Sequence, residues 1–201
     1  METNEEDCKE IMGGKGTLFV LSGPSGAGKT TVEDRLTTEL DLFVSISMTT
    51  RPRRANETDG IDYLFTDKNN FNLMVSRGEM LEWANVHGNL YGTPREPIEK
   101  RIKEGKDSLL VIDIQGANQI RRIIPSSILI FLLPPSIGEL RKRLMGRNTD
   151  SIQTIDSRLE VAQEEIASSL IYDYSVVNHN IAQATIDVAC IIMNCTSRRK
   201  Q

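Results

Sequence analysis

Cysteine and histidine are scarce in this chain, three and two among 201 residues, and neither type gathers into a site. Cys8, Cys190 and Cys195 follow no metal-ligand spacing, and His87 and His179 stand alone. An odd cysteine count without a secretory signal argues against a disulfide framework and reads as reduced thiols in a cytoplasm. No apolar run approaches the length that spans a membrane. Residues 1–16 are acidic and lack an apolar h-region, so they read as a flexible tail and not as a targeting segment. There is no internal repeat and no low-complexity stretch. The net charge of -4 argues against a general nucleic-acid binder, local basic clusters aside. No feature calls for an obligate protein partner. With 26% charged and 39% hydrophobic residues, the chain reads as one globular domain, or one with a sizeable insertion.

What the chain does carry is Gly23-Pro-Ser-Gly-Ala-Gly-Lys-Thr30, which fits G-x-x-x-x-G-K-[ST] at every fixed position. Thr17-Leu-Phe-Val-Leu-Ser22 ahead of it is a short apolar run rich in β formers. Behind it Val32, Leu36 and Leu40 recur at helical i, i+4 spacing. Gly23, Gly26 and Gly28 therefore sit between a strand and a helix, where they let several backbone N–H groups turn toward one anion. A helix beginning near Lys29 adds the positive end of its dipole. Such a loop, here Gly23, Pro24, Ser25, Gly26, Ala27, Gly28, Lys29, Thr30 and Thr31, holds the phosphates of a nucleoside triphosphate. Lys29 follows the β- and γ-phosphates, and the Thr30 hydroxyl is placed for Mg²⁺. The plainer alternative is a Gly/Ser turn that happens to end in Lys-Thr, and the flanking strand and helix weigh against it.

Further along, apolar runs alternate with helical patterns. Strands are expected at Phe43 to Ser47, Ser108 to Asp113, Ser127 to Leu133 and Ser175 to Val177. The continuous runs Leu109-Leu-Val-Ile112 and Ile128-Leu-Ile-Phe-Leu-Leu133 look buried on two faces, as in a parallel sheet covered by helices. Helices are expected at Gln115 to Ile124, Ser136 to Met145 and Ile155 to Leu170, the last with Leu159, Ala162 and Ile166 inward. A final helix from Ile181 turns Ala184, Val188 and Ile191 inward. The fold class is α/β, a three-layer αβα phosphate-loop domain with a parallel central sheet. Residues 48–93 break this rhythm with glycines, short β-like pieces at Asp62 to Phe65, Met80 to Val86 and Asn89 to Tyr91, and a helix from Asp67 to Arg77. They read as a small mixed α/β insertion, antiparallel in its strands, and as a natural second substrate site. The core is then residues 17–47 and 94–195, with a C-terminal tail at 196–201. Trp83 is assigned to packing of the insertion.

The loop does not stand alone. Ser47-Met-Thr-Thr-Arg51, Arg54, Gly60-Ile-Asp-Tyr63, Glu82-Trp83, Gly88-Asn-Leu-Tyr-Gly92 and Asp113-Ile-Gln-Gly116 follow it, then Arg143-Leu-Met-Gly-Arg147, Arg158 and Val177-Asn178. In that order they resemble the guanylate kinases, over roughly residues 17–195. The resemblance implies transfer of the γ-phosphoryl group of ATP to GMP, giving ADP and GDP in purine nucleotide metabolism, with Mg²⁺ as cofactor. It implies that the insertion 48–93 binds GMP and that 147–155 is a lid. It places Lys29, Arg54, Arg143, Arg147 and Arg158 at the reacting phosphates and Asn178 against the adenine of ATP.

The residues suit those roles. Arg51 and Arg54 offer planar charged forks to a phosphate dianion, and Tyr63 and Tyr91 offer hydroxyls. Arg51-Pro-Arg-Arg54 by itself reads equally as a solvated basic turn. Guanine presents an N2 amino donor and an O6 acceptor. A carboxylate such as Glu82 suits the donor side, and the hydroxyls of Ser47 and Thr93 serve either, with Gly92 beside them. Arg143 and Arg147 share a helix face opposite Leu140 and Leu144, a solvated face on an arbitrary helix and a cationic clamp beside a phosphate loop. Asp113 either contacts guanine or holds Mg²⁺ through water.

The chain departs from the family pattern in places. Val111 stands where many members have an acid, Asn148 replaces a glycine in the lid, and His179 follows Asn178 where an aspartate is usual. Arg53 and Asn56 replace a common proline and glycine, with the Arg51-to-Tyr63 spacing kept. Two other readings remain: a related phosphate-loop kinase with another phosphorylated acceptor, and a non-catalytic guanylate-kinase-like module that holds phosphopeptides. The module predicts an eroded loop, and this loop is intact.

Overall fold

A parallel sheet is covered on both faces, so its central strands are mostly apolar and its strands are joined by connections that include helices. That is how this chain is built in the computed structural model, which describes residues 16–40, 42–86, 88–146, 151–167 and 169–199. The order is β1 (Leu18–Ser22), α1 (Lys29–Glu39), β2 (Phe43–Val44), β3 (Met48–Thr49), β4 (Leu64–Phe65), α2 (Lys68–Ser76), β5 (Met80–Val86), β6 (Asn89–Pro94) and α3 (Arg95–Lys103). Then come β7 (Ser108–Val111), α4 (Ile114–Ile123), β8 (Ile128–Leu133), α5 (Ile137–Met145), α6 (Ile152–Ala167), a 3₁₀ turn at Ser169–Ile171, β9 (Tyr174–Val177) and α7 (Ile181–Arg199).

One sheet has the strand order β2-β7-β1-β8-β9, and a smaller one the order β4-β3-β6-β5. In the first, β1 pairs in parallel with β8, β8 with β9, and β2 with β7. Phe19, Val20, Leu21, Leu109, Leu129, Ile130 and Phe131 are fully buried there, each contributing on the order of 1.5–3 kcal/mol from the apolar surface removed from water. Among the described residues the chain divides into two compact units, one of residues 16–18, 43–110 and 115–127, the other of 19–42, 111–114 and 128–199.

In the first unit Asp67 caps α2, its carboxylate accepting the N–H groups of Asn69 and Asn70. This helix lays Phe71 against Met48 and Met80, with Leu64, Met74, Val75 and Leu90 around them. The core has room for no more: a Cβ on Gly92 would stand 3.0 Å from the Phe71 ring and 2.9 Å from the Glu82 carbonyl. In the second unit the Ser136 hydroxyl caps α5, and Leu140 and Leu144 pack on Ile155, Leu159 and Ala162 of α6.

Several expectations change. The insertion's strands are not all antiparallel, because β3 pairs in parallel with β4 while β6 runs antiparallel to both β3 and β5. Helix α3 carries no sequence expectation; its apolar period is reduced to Ile98 and Ile102, both buried, among charged residues. Trp83 is 41% exposed and does not pack the insertion, since alternation along β5 turns its neighbours Glu82 and Ala84 inward. Leu40 ends α1 in an extended conformation. In α7 Ile192 is buried in place of Ile191, and the helix runs to Arg199, into the stretch read as a C-terminal tail. Helix α6 begins at Ile152, inside the range read as a lid, and ends at Ala167. Arg147 and Asn148 lie outside the described residues, as do His87 and residues 1–15.

Candidate functional site

Two clusters emerge, each within one unit. In the second unit β1 ends at Ser22 and the chain turns through Gly23 and Gly28, with φ of 144° and 102°, into the first turn of α1. A Cβ at Gly23 would stand 2.3 Å from the Leu132 carbonyl oxygen, and one at Gly28 would stand 2.5 Å from the Asn178 amide nitrogen. Neither position accepts a side chain, so the loop backbone lies against its support. The Lys29 ammonium donates to the carbonyls of Gly23 at 2.5 Å and Pro24 at 3.2 Å. Ser25, Thr30 and Thr31 are exposed beside it, and the N–H groups of this first turn have no intrahelical acceptor.

Asn178 is buried at the end of β9, and it is a brace. Its side-chain amide donates to the Ala27 carbonyl at 2.7 Å, and its N–H donates to the Leu133 carbonyl at 2.8 Å. Its own carbonyl accepts from Arg143 Nη2 at 2.9 Å. The amide nitrogen is thus directed at the loop, while the amide oxygen Oδ1 is buried without a hydrogen-bond partner among the described residues and is the atom left for the adenine contact that the resemblance implies. Asn178→Ala removes the brace and orphans a buried carbonyl, which costs about 1–3 kcal/mol. We expect a lower Tm and a KM for ATP that rises more than the KM for the acceptor, read from a melt and initial rates. An unchanged KM for ATP in a destabilised variant would reduce Asn178 to a packing residue.

Arg158 is half-buried in α6. The same helix brings in Glu165, which sequence reasoning missed. Burial raises its carboxyl pKa, the Lys29 charge lowers it, and Asp113 raises it. Tyr172 is pushed up to about 12, chiefly by burial, with Asp113 and Glu165 adding to the rise; its ring packs on Phe131 at 4.8 Å. Asp113 thus belongs to the unit of the phosphate loop. The local pattern of α6 offered no signal for Glu165, because an acid on a helix reads as solvated until packing buries it.

The first unit holds Ser47, Arg51, Arg54, Tyr63, Glu82, Tyr91, Gly92 and Thr93 together. The β3–β6 register sets Thr49 opposite Tyr91. Arg51 Nε then donates to the Tyr91 hydroxyl at 3.1 Å. Its fork meets a residue the sequence reading did not single out: Nη2 and Nη1 reach the Glu57 carboxylate at 2.7 and 3.1 Å. Nη1 also donates to the Pro52 carbonyl, and the rings of Tyr63 and Phe65 lie 5.5 and 5.8 Å from the guanidinium. The Glu57 carboxylate accepts the Arg54 N–H at 2.8 Å, and its carbonyl accepts from Arg53. This pairing holds Glu57 below the usual carboxylate range and Arg51 above its ordinary value, the mutual hydrogen bonds being the main cause of each. The Arg54 side chain stays 67% exposed, with Nη1 3.6 Å from Glu57. An acid three residues after Arg54 was the available signal.

On β5 and β6, Glu82 faces Thr93 across the strands. Both are buried, and the Thr93 hydroxyl donates to Glu82 Oε1 at 2.6 Å. Ser47 is half-buried and its carbonyl accepts the Leu64 N–H. A buried carboxylate and hydroxyl at one end, and arginine forks with tyrosine hydroxyls at the other, suit a ligand with a hydrogen-bonding base and an anionic group.

The sequence model of the family described as Guanylate kinase matches residues 15–195. A curated guanylate kinase of Thermus thermophilus is 47% identical over 90% of this chain and 82% of its own length. That of Nitrosomonas europaea is 50% identical over 87% and 88%. Among solved structures, the crystal structure of guanylate kinase from Anaplasma phagocytophilum superposes with a TM-score of 0.78 at 34% identity, covering 92% of this chain and 89% of that one.

Proposed function

The chain belongs to the guanylate kinase family, and from that premise we infer that it transfers the γ-phosphoryl group of ATP to GMP, giving ADP and GDP. The observation that carries the reading is the intact phosphate loop, its backbone held against β8 and Asn178 at glycines that admit no side chain. An oxygen of the GMP phosphate forms the new bond to the γ-phosphorus while the bond to the β,γ-bridging oxygen breaks, its electron pair leaving with ADP. A phosphate monoester with a second pKa near ~6 is already largely ionised at neutral pH, so no side-chain base is needed. The protein contributes position and charge.

We assign ATP to the loop from Gly23 to Thr31 and to the core 17–47 and 94–195, and GMP to the insertion 48–93. Lys29, Arg143 and Arg158 serve the transferred group, with Arg147 and a lid at 147–155 carried over from the resemblance. Arg51, Arg54, Tyr63 and Tyr91 take the GMP phosphate, and Glu82, Thr93 and Ser47 take guanine. The buried Glu82–Thr93 hydrogen bond supports this last assignment, and the Glu57 carboxylate supports the first by orienting the arginines. Thr30, exposed beside Lys29 at the start of α1, fits Mg²⁺, a hard cation that takes a hydroxyl, phosphate oxygens and water. Asp113 would join through water. The ion would neutralise charge shared between the β- and γ-oxygens.

Among the described residues no helix is long and apolar enough to cross a membrane. The cytoplasmic placement rests on cysteine usage, and Cys190 and Cys195 are free thiols. A coupled assay of ADP formation, with ATP and each nucleoside monophosphate in turn, tests the reading. We expect GMP to be the preferred acceptor by a wide margin; equal rates with AMP would overturn it.

A further inference from the structure

Strand β5, which carries Glu82, is the edge strand of its sheet. An edge leaves every second residue with its N–H and C=O unpaired, and Trp83 and Asn85 are such residues here. The edge is also weak where it matters most, because the pairing with β6 shifts register between Met80 and Glu82. Helix α4 covers it with side chains. Gln119 Nε2 donates to the Trp83 carbonyl at 2.6 Å, and Gln119 Oε1 accepts the Trp83 N–H at 3.3 Å. One side chain thus makes both bonds that a neighbouring strand would make. One turn earlier, Gln115 Nε2 reaches the Asn85 carbonyl at 3.5 Å, and the Gln115 carbonyl accepts a second, longer bond from Gln119. The two spacings agree: residues i and i+4 of a helix rise about 6 Å, and residues i and i+2 of a strand about 6.6 Å.

We propose that Gln119 is a positioning residue for acceptor selectivity, a two-point clamp that fixes the backbone at Trp83 and so the direction of the Glu82 carboxylate. The proposal rests on the assignment of Glu82 to guanine. Without the clamp, the strand beside its own bulge is held on one side only. Glu82 then samples orientations in which it does not meet the base, while the phosphate loop, whose residues belong to the other unit, is untouched.

Gln119→Leu keeps the volume and removes both bonds. We expect KM and the calorimetric Kd for GMP to rise about tenfold, the sum of two modest hydrogen bonds. The KM for ATP should stay within about twofold and kcat should fall less than KM rises. Amide exchange at Trp83 should accelerate by a similar factor. Gln119→Glu keeps an acceptor for the Trp83 N–H but sets an oxygen against its carbonyl, so it should lie between. An unchanged KM for GMP, or KM values for ATP and GMP that rise together, overturns the clamp. Glu82→Gln run alongside separates the two ideas. If it changes the GMP-to-AMP preference while Gln119→Leu does not, the clamp fails and the assignment of Glu82 stands. If Glu82→Gln leaves the preference unchanged, the assignment itself fails.

Discussion

Lys29→Ala should leave a folded protein that has lost phosphoryl transfer, with kcat down by about 10³ or more, the scale seen when a preorganised cationic or hydrogen-bonding group is removed from a developing charge. In the proposed mechanism the ammonium is the charge that the loop would bring to the β- and γ-oxygens. Its bonds to the Gly23 and Pro24 carbonyls show that the loop's own geometry already gathers it inward. Stability should change little. The variant loses the two Lys29 bonds to the loop but keeps Gly23 against Leu132, Gly28 against Asn178, and the Asn178 amide on Ala27. Single-turnover ADP formation beside a thermal melt checks both halves. Wild-type turnover in the folded variant would remove the loop from the reaction.

Glu82→Gln should cost most of kcat/KM for GMP and narrow the gap to AMP without making a good AMP kinase. Guanine presents N1–H and the N2 amino group as donors; adenine has no N2 amino group and carries an amino donor where guanine has O6. A site built on a required hydrogen bond discriminates by about 10⁴ or more against a ligand lacking it. Glu82 is buried and its Oε1 accepts from Thr93, so in the proposed site its carboxylate would keep one direction toward the base as long as the backbone of β5 is held. In the variant, the new amide nitrogen would face guanine's own donors. IMP, which lacks just the N2 amino group, is the sharper probe: wild-type enzyme using IMP as well as GMP would remove the N2 contact as the source of selectivity. Asp113→Asn is the control. Asp113 shares a unit with Lys29 and shifts the titration of Glu165 and Tyr172 there. It should therefore lower kcat and leave the GMP-to-AMP ratio alone.

What the sequence determined by itself is whatever a few neighbouring residues specify. A glycine-rich turn between an apolar run and an i, i+4 helix is a local object, and Gly23 to Thr30 could be read with its chemistry attached. The strands at Leu109 and Ile128 were legible because burial on two faces leaves an unbroken apolar run. Only tertiary structure decided the rest, because pairing partners lie far apart along the chain and many residues compete for each. Glu57 is one acid among many until Arg51 folds over it. Glu165 is a helix-surface carboxylate until the packing of α6 half-buries it. Trp83 looks like core and is exposed, because the bulge after Met80 and the pleat of β5 settle which face Glu82 takes. Helix α3 hides its period behind charge, and Gln119 has no pattern at all. Its meaning comes from an edge strand more than thirty residues away, and no local signal spans that distance.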